Sequence, residues 1–216
     1  MLKRIVKNLI LRSGHILIKK EALISDKIIK SSGTWDYEGD TKYWIGGYFK
    51  VDNFSNGYHG ILQQWWEFYG KNHDDVLLIS ENNKVKSIFA SHYPNKSFQT
   101  LDYYDNLGEE VDLKYNLCDP NLSNHEKKFG VIICQATLEH VYDPWSALKN
   151  MLELLTSNGV LIIHTHVPGY YYHPYPRDYL RYHPDWFIDA EKFIPNITLK
   201  ELFVKNHHIF SVYQKN

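Results

Sequence analysis

The chain has 216 residues, with 24 Lys or Arg against 25 Asp or Glu and a formal net charge of -1. That length suits one sizeable α/β domain with a small addition, and the balanced charge speaks against the clustered basic excess of a nucleic-acid footprint. Two cysteines, Cys118 and Cys134, cannot build a disulfide framework, so a reducing, cytoplasmic setting is expected.

The first ten residues, Met1 to Ile10, are basic and amphipathic, but they lack the long apolar core and small-residue cleavage site of a signal peptide. They fit a packed or frayed helix, or one resting on a membrane surface. No apolar run reaches the roughly 18 residues of a membrane span, so no integral membrane association is expected. Between residues 34 and 57, Gly39, Gly46, Gly47 and Gly57 leave little room for regular structure. Ile61, Leu62, Trp65, Trp66 and Phe68 then predict a helix over 58–69 that Gly70 stops. The aromatic residues, 17 Tyr, 6 Trp and 10 Phe, concentrate at 35–69 and 170–187. Large apolar faces with polar tips suit stacking on sugars or flat rings, and equally the packing of a lid. Residues 1–72 are therefore expected as an N-terminal extension or lid, and 73–216 as the main domain.

The domain opens with the apolar run Val76 to Ile79, a first strand, and a helix follows over 85–91. Ser97 to Asp102 predicts the second strand and Asp112 to Asp119 the third. Gly130 to Cys134 is continuously apolar, as a strand buried on both faces of a parallel sheet must be. Asp143-Pro144 signals a helix start, and Trp145, Leu148, Met151, Leu152 and Leu155 recur at helical spacing until Ser157-Asn158-Gly159 stops it. Val160 to Ile163 is the fifth strand, followed by an aromatic, proline-rich loop from about 168 to 186. Ile197 to Val204 and His208 to Tyr213 alternate apolar and polar around Lys205-Asn206-His207, which predicts a hairpin.

The block from Phe129 to Pro168 resembles the second half of a class I S-adenosylmethionine-dependent methyltransferase. The resemblance rests on a strand running into Leu138-Glu139-His140-Val141, a helix opened by Asp143-Pro144-Trp145 and a Gly159-Val160-Leu161 strand. The segment His173 to His183 is similar to a loop of small-molecule and sugar methyltransferases in that superfamily. The resemblance implies a Rossmann-like α/β fold: a seven-stranded, mostly parallel sheet with a C-terminal antiparallel hairpin and helices on both faces. It also implies S-adenosylmethionine as cofactor, with S-adenosylhomocysteine as product.

Ligands of such sheets bind beyond the C-terminal strand ends. In the first loop, Ser80, Glu81 and Asn82 stand at the cofactor position, yet Leu78 to Lys84 holds no glycine. Ser80 and Asn82 occupy places where the resemblance leads one to expect glycines, and Leu78 the place of an acid. Asp102 ends the second strand, where the family uses a carboxylate for the ribose hydroxyls. Asn116, Leu117 and Asp119 are placed to meet the adenine, and Gln135 to border the methionine half. Glu139 and His140 are expected to tie the helix start to the sheet.

Methyl transfer needs alignment above all, but an alcohol acceptor also needs a base, for which imidazole is well suited. His164 and His166 lie two apart on one strand face, and His173 and His183 flank the aromatic loop. His166 and His173 are the leading base candidates, with Asp178 behind them. Tyr170, Tyr172, Arg177 and Arg181 are candidates for holding the acceptor, and a salt bridge from the arginines to Asp178 or Asp185 is the alternative. A metal held by His164, His166 and His173 is a further alternative, but no Cys-x-x-Cys or His-Glu-x-x-His motif is present and no metal is expected. The sequence thus points to O-methylation of a small molecule, sugar or glycan, with no nucleic-acid partner and with a homo-oligomer compatible. The rival reading is an inactive descendant of the fold that serves as a binding or scaffold protein.

Overall fold

A computed structural model describes residues 44–45, 65–103, 110–205 and 207–216, with 44–45 and 205 as backbone only. Its centre is an eight-stranded sheet: β1 (Trp44–Ile45), β2 (Asp75–Ile79), β3 (Ser97–Asp102), β4 (Leu113–Lys114), β5 (Phe129–Gln135), β6 (Leu155–His166), β7 (Ile197–Lys205) and β8 (His208–Lys215). The spatial order is β1-β7-β8-β6-β5-β2-β3-β4. β4, β3, β2, β5 and β6 run parallel, while β8 pairs antiparallel with both β6 and β7. These are the seven strands expected, in the expected mixed arrangement. The eighth, β1, comes from the N-terminal extension and pairs with Leu202 and Phe203 on the β7 edge.

Alternation along the central strands divides the core between two layers. Leu77, Ile79, Ile132, Cys134, Leu161 and Ile163 face a layer built from α2 (Pro144–Glu153) and α3 (Pro184–Phe193). Val76, Leu78, Val131, Ile133, Val160 and Ile162 face the other way, onto Trp65 and Trp66 and the partly buried Phe89 of α1 (Asn83–His92). Trp65 and Trp66 belong to the C-terminal end of the helix expected over 58–69, where the chain makes a wide π-helical turn over Trp66–Gly70. The rest of that helix, the start of the chain and most of the proposed lid lie outside the described residues.

Three expectations need correction. The third strand is only two residues long, because Asn116 and Asp119 turn the chain: their side chains accept from the main-chain N–H of Cys118 (2.9 Å) and Asn121 (2.9 Å). Leu155 is not in α2. It begins β6 opposite Phe129, and the Ser-Asn-Gly stretch expected to end the helix lies within that strand, with Asn158 at φ 62° and a register shift beside it. Finally, α3 forms where a loop ending near Trp186 was expected; Pro184 opens it, and Phe187 and Ala190 face the core.

Candidate active site

The C-terminal ends of β2, β3 and β5 open onto a cavity of about 360 Å3. Ser80, Asp102, Asn116 and Leu117 line one side, Ala136, Thr137 and His140 the floor, and Tyr175, Arg177 and Tyr179 of the aromatic loop the other side. Two left-handed residues shape the cavity lining: Ser80 at φ 56° follows β2, and Ala136 at φ 45° follows its neighbour β5. Left-handed backbone is costly for residues with a Cβ, so the packing around both turns must hold it. Ser80 N donates to Leu101 O (2.7 Å) and Ala136 N to His164 O (2.8 Å). The turn that glycines were expected to make is therefore made without them.

Asp102 is 9% exposed and accepts from the N–H of Tyr103 at 2.6 Å. Glu81 lies close enough to repel it: burial and the Asp102 charge push the Glu81 carboxyl up to about 7. Of the other cofactor candidates, Asn82 caps α1 by accepting from Val85 N (3.0 Å), and Asp119 caps the short turn after β4. Neither residue lines the cavity, nor does Gln135 at the end of β5.

Next to the cavity is a cluster centred on Glu139, which is wholly buried. Its Oε2 accepts from the Thr165 hydroxyl at 2.6 Å. Its Oε1 lies 2.6 Å from His166 Nδ1, 3.7 Å from His173 Nε2 and 3.9 Å from His140 Nε2. The 2.6 Å His166 contact is short, but its geometry is not that of a well-directed hydrogen bond. Burial pushes the Glu139 carboxyl up, but His166 and the Thr165 hydroxyl outweigh it and hold the carboxyl below its usual range. Tyr170 stacks on the His166 ring, centroids 3.6 Å apart, and His173 meets His140 edge to face at 4.9 Å.

His166 and His173, singled out from sequence, are thus brought together. Asp178 is tied elsewhere: it pairs with the Arg181 guanidinium and accepts from the N–H of His173 (2.8 Å). Arg181 holds its carboxyl down at about 2, which makes it a weak base. Arg181 also donates to Tyr171 O (2.6 Å) and so braces the loop. Arg177 lines the cavity and Tyr172 is exposed. His164 points to the same face as His166, as its spacing requires, and contacts His208 at 2.9 Å. What the sequence reading missed is Glu139 as the hub. The signal available was its place beside His140 directly after a buried strand, where a carboxylate needs partners.

Residues 79–163, under half of the chain, match the family described as Methyltransferase domain. A ubiquinone biosynthesis O-methyltransferase from Actinobacillus pleuropneumoniae serotype 7 (strain AP76) is 31% identical over 106 residues, 49% of this chain and 41% of that protein. The corresponding enzyme from Haemophilus ducreyi (strain 35000HP / ATCC 700724) is 33% identical over 66 residues, 31% of this chain and 25% of that protein. The chain therefore spans less than half the length of these curated relatives. The fold is also that of the N-methyltransferase NodS from Bradyrhizobium japonicum WM9, with TM-score 0.53 and 10% identity over 75% of this chain and 98% of that one. A SAM-dependent methyltransferase from Archaeoglobus fulgidus gives TM-score 0.53 and 11% identity, covering 78% and 100%.

Proposed function

We propose, for a chain whose residues 79–163 form a methyltransferase domain on the class I S-adenosylmethionine-dependent fold, that the protein transfers a methyl group from S-adenosylmethionine to a hydroxyl of a small molecule, with a sugar or glycan as acceptor. The observation that carries this reading is the junction of two sites: a cavity walled by Asp102, Asn116 and Ser80, and a buried Glu139–His166–His173 cluster that meets it at His140.

The residues present fit the cofactor. Asp102 ends β3 as a carboxylate at the cavity wall, suited to two ribose hydroxyls, and Asn116 lines the same cavity, where its Oδ1, already accepting from Cys118 N, has a second lone pair for an adenine edge. The turn at Ser80 brings main chain to the cavity wall, as close approach to a ligand requires. When bound, the sulfonium supplies an activated methyl carbon and a neutral leaving group. In transfer to a hydroxyl the methyl carbon would exchange its bond to sulfur for one to the acceptor oxygen, the electron pair would stay on sulfur, and the hydroxyl proton would pass to an imidazole of the cluster. His173, at 24% side-chain exposure, is more accessible than His166 at 3% and is assigned that proton, with His166 holding Glu139 in place. Tyr170, Tyr172, Arg177 and the loop braced by Arg181 and Asp178 form the acceptor side. The fold alone does not choose oxygen over nitrogen, since NodS is an N-methyltransferase; the choice of oxygen rests on the imidazole–carboxylate cluster and on the O-methyltransferase relatives.

A small or sugar acceptor, no nucleic acid, a cytoplasmic setting and compatibility with a homo-oligomer complete the reading; among the described residues no helix is long and apolar enough to cross a membrane. Calorimetric titration with S-adenosylmethionine and S-adenosylhomocysteine tests it. Micromolar binding that Asp102→Ala weakens by about 1–3 kcal/mol supports it. Failure of both ligands to bind at millimolar concentration favours the rival, a binding or scaffold protein on this fold.

A further inference from the structure

We propose that Glu139, His166 and His173 form a binding site for one divalent transition-metal ion of the Zn2+ type, with His140 at its edge. The ligand atoms of the first three lie within 4.8 Å of one another. Around Glu139 Oε1 the three imidazole nitrogens stand at 2.6, 3.7 and 3.9 Å. An ion about 2.1 Å from each ligand in tetrahedral geometry holds its ligands about 3.4 Å apart, a separation that these distances bracket.

The surrounding hydrogen bonds aim the ligands inward. Glu139 Oε2 is taken by Thr165, which leaves Oε1 facing the histidines. His140 Nδ1 lies 2.5 Å from Arg177 O and His173 Nδ1 lies 3.3 Å from Tyr171 O. His173 Nδ1 also lies 3.3 Å from Asp178 Oδ2, so in both rings Nδ1 faces an acceptor on the side away from Glu139 and Nε2 is the atom turned towards Oε1. An ion among these atoms would serve the carboxylate oxygen and the imidazole nitrogens together, which a single proton cannot do for three nitrogens. Glu139 Oε1 and His166 Nδ1, 2.6 Å apart on side chains 0% and 3% exposed, make no well-directed hydrogen bond to each other or to another described residue. A ring whose other nitrogen is held by a backbone carbonyl or carboxylate is the usual support of a metal-bound histidine.

The donor set chooses the ion. Two or three imidazoles with one carboxylate suit Zn2+, Fe2+, Mn2+ or Co2+, whereas Mg2+ and Ca2+ prefer oxygen. The absence of a short ligand motif in the sequence does not bear on it, since the ligands come from three places: the turn after β5, the end of β6 and the aromatic loop. Because His140 also lines the cavity, an ion here borders the acceptor side, where it would polarise a bound hydroxyl as a Lewis acid in place of a free imidazole. That use rests on the methyl-transfer reading; the binding of the ion does not.

The test is titration of chelator-stripped protein with Zn2+ alone by calorimetry, and with Co2+ alone by visible absorption, both without cofactor. One equivalent should bind, with ligand-field bands for Co2+. His173→Gln and Glu139→Gln should each weaken binding at least about tenfold while circular dichroism stays native. His208→Gln should leave binding intact, which separates this site from the neighbouring group of His164, His166 and His208 that shares one ligand. Failure of folded wild-type protein to bind either ion, binding unchanged in both His173→Gln and Glu139→Gln, or binding lost in His208→Gln would each overturn the proposal. Because no cofactor is present, a failure here is distinct from a failure of S-adenosylmethionine to bind.

Discussion

The side-chain amide of Asn150 donates to the main-chain carbonyl of Leu117, 2.8 Å away, and so joins helix α2 to the loop that brings Asn116 and Leu117 to the cavity wall. The same amide nitrogen donates to Asp119 O at 2.9 Å, so a single buried polar side chain holds both ends of the turn that begins after Asn116. In Asn150→Ala two buried carbonyls lose this donor, at about 1–3 kcal/mol for a buried group left unsatisfied. Urea unfolding should show a loss of that order, and S-adenosylhomocysteine affinity measured under folded conditions should also fall, because Leu117 and Asn116 are no longer fixed. Loss of stability with unchanged affinity would mean that the clamp serves the fold alone.

Ser80→Gly is expected to stabilise the protein. The residue sits at φ 56°, where a Cβ costs about 1–2 kcal/mol, while the added freedom of glycine in the unfolded chain costs about 0.5–1 kcal/mol. The difference favours glycine by up to about 1 kcal/mol and should appear as a raised Tm; Ser80→Val, β-branched in the same turn, should lower it.

The central strands were legible because burial on both faces demands apolar residues without interruption, and 76–79 and 130–134 satisfy that demand. The third strand was overestimated because Asn116 and Asp119 have the extended neighbours of a strand but spend their side chains on turns. Helix α3 was hidden by the aromatic and proline content around it, although Pro184 followed by Phe187 and Ala190 is a readable start. At the site, His166 and His173 were legible as residue types and Asp102 as a strand-end acid. The role of Glu139 was not, because its partners Thr165 and His173 lie 26 and more residues away and meet it only when β5 and β6 pair side by side.

Gly130→Ala should cost about 1–3 kcal/mol, the range for overpacking. A Cβ at Gly130 would come within 2.5 Å of His73 Cβ, an atom fixed to the main chain, and β5 lies between β2 and β6 with no room to shift. Chemical denaturation of the variant checks this, and an unchanged midpoint would contradict the packing.

Glu81 should make the protein less stable as pH rises from about 4.5 to 7. Its carboxyl, ordinarily at 4.5, is pushed up to about 7 by burial and by the Asp102 charge. Between these values the folded state holds a proton that the unfolded chain releases, so the unfolded state gains relative to the native one with each step upward in pH. The penalty is absent below 4.5 and complete above 7, on the order of 3 kcal/mol for a shift of this size. Glu81→Gln removes the ionisation, so its stability at pH 8 should exceed that of the wild type by this amount, while the two proteins converge near pH 4. Measured denaturation midpoints across that window decide the matter: parallel curves for the two proteins would mean that burial and the Asp102 charge do not act on the Glu81 carboxyl.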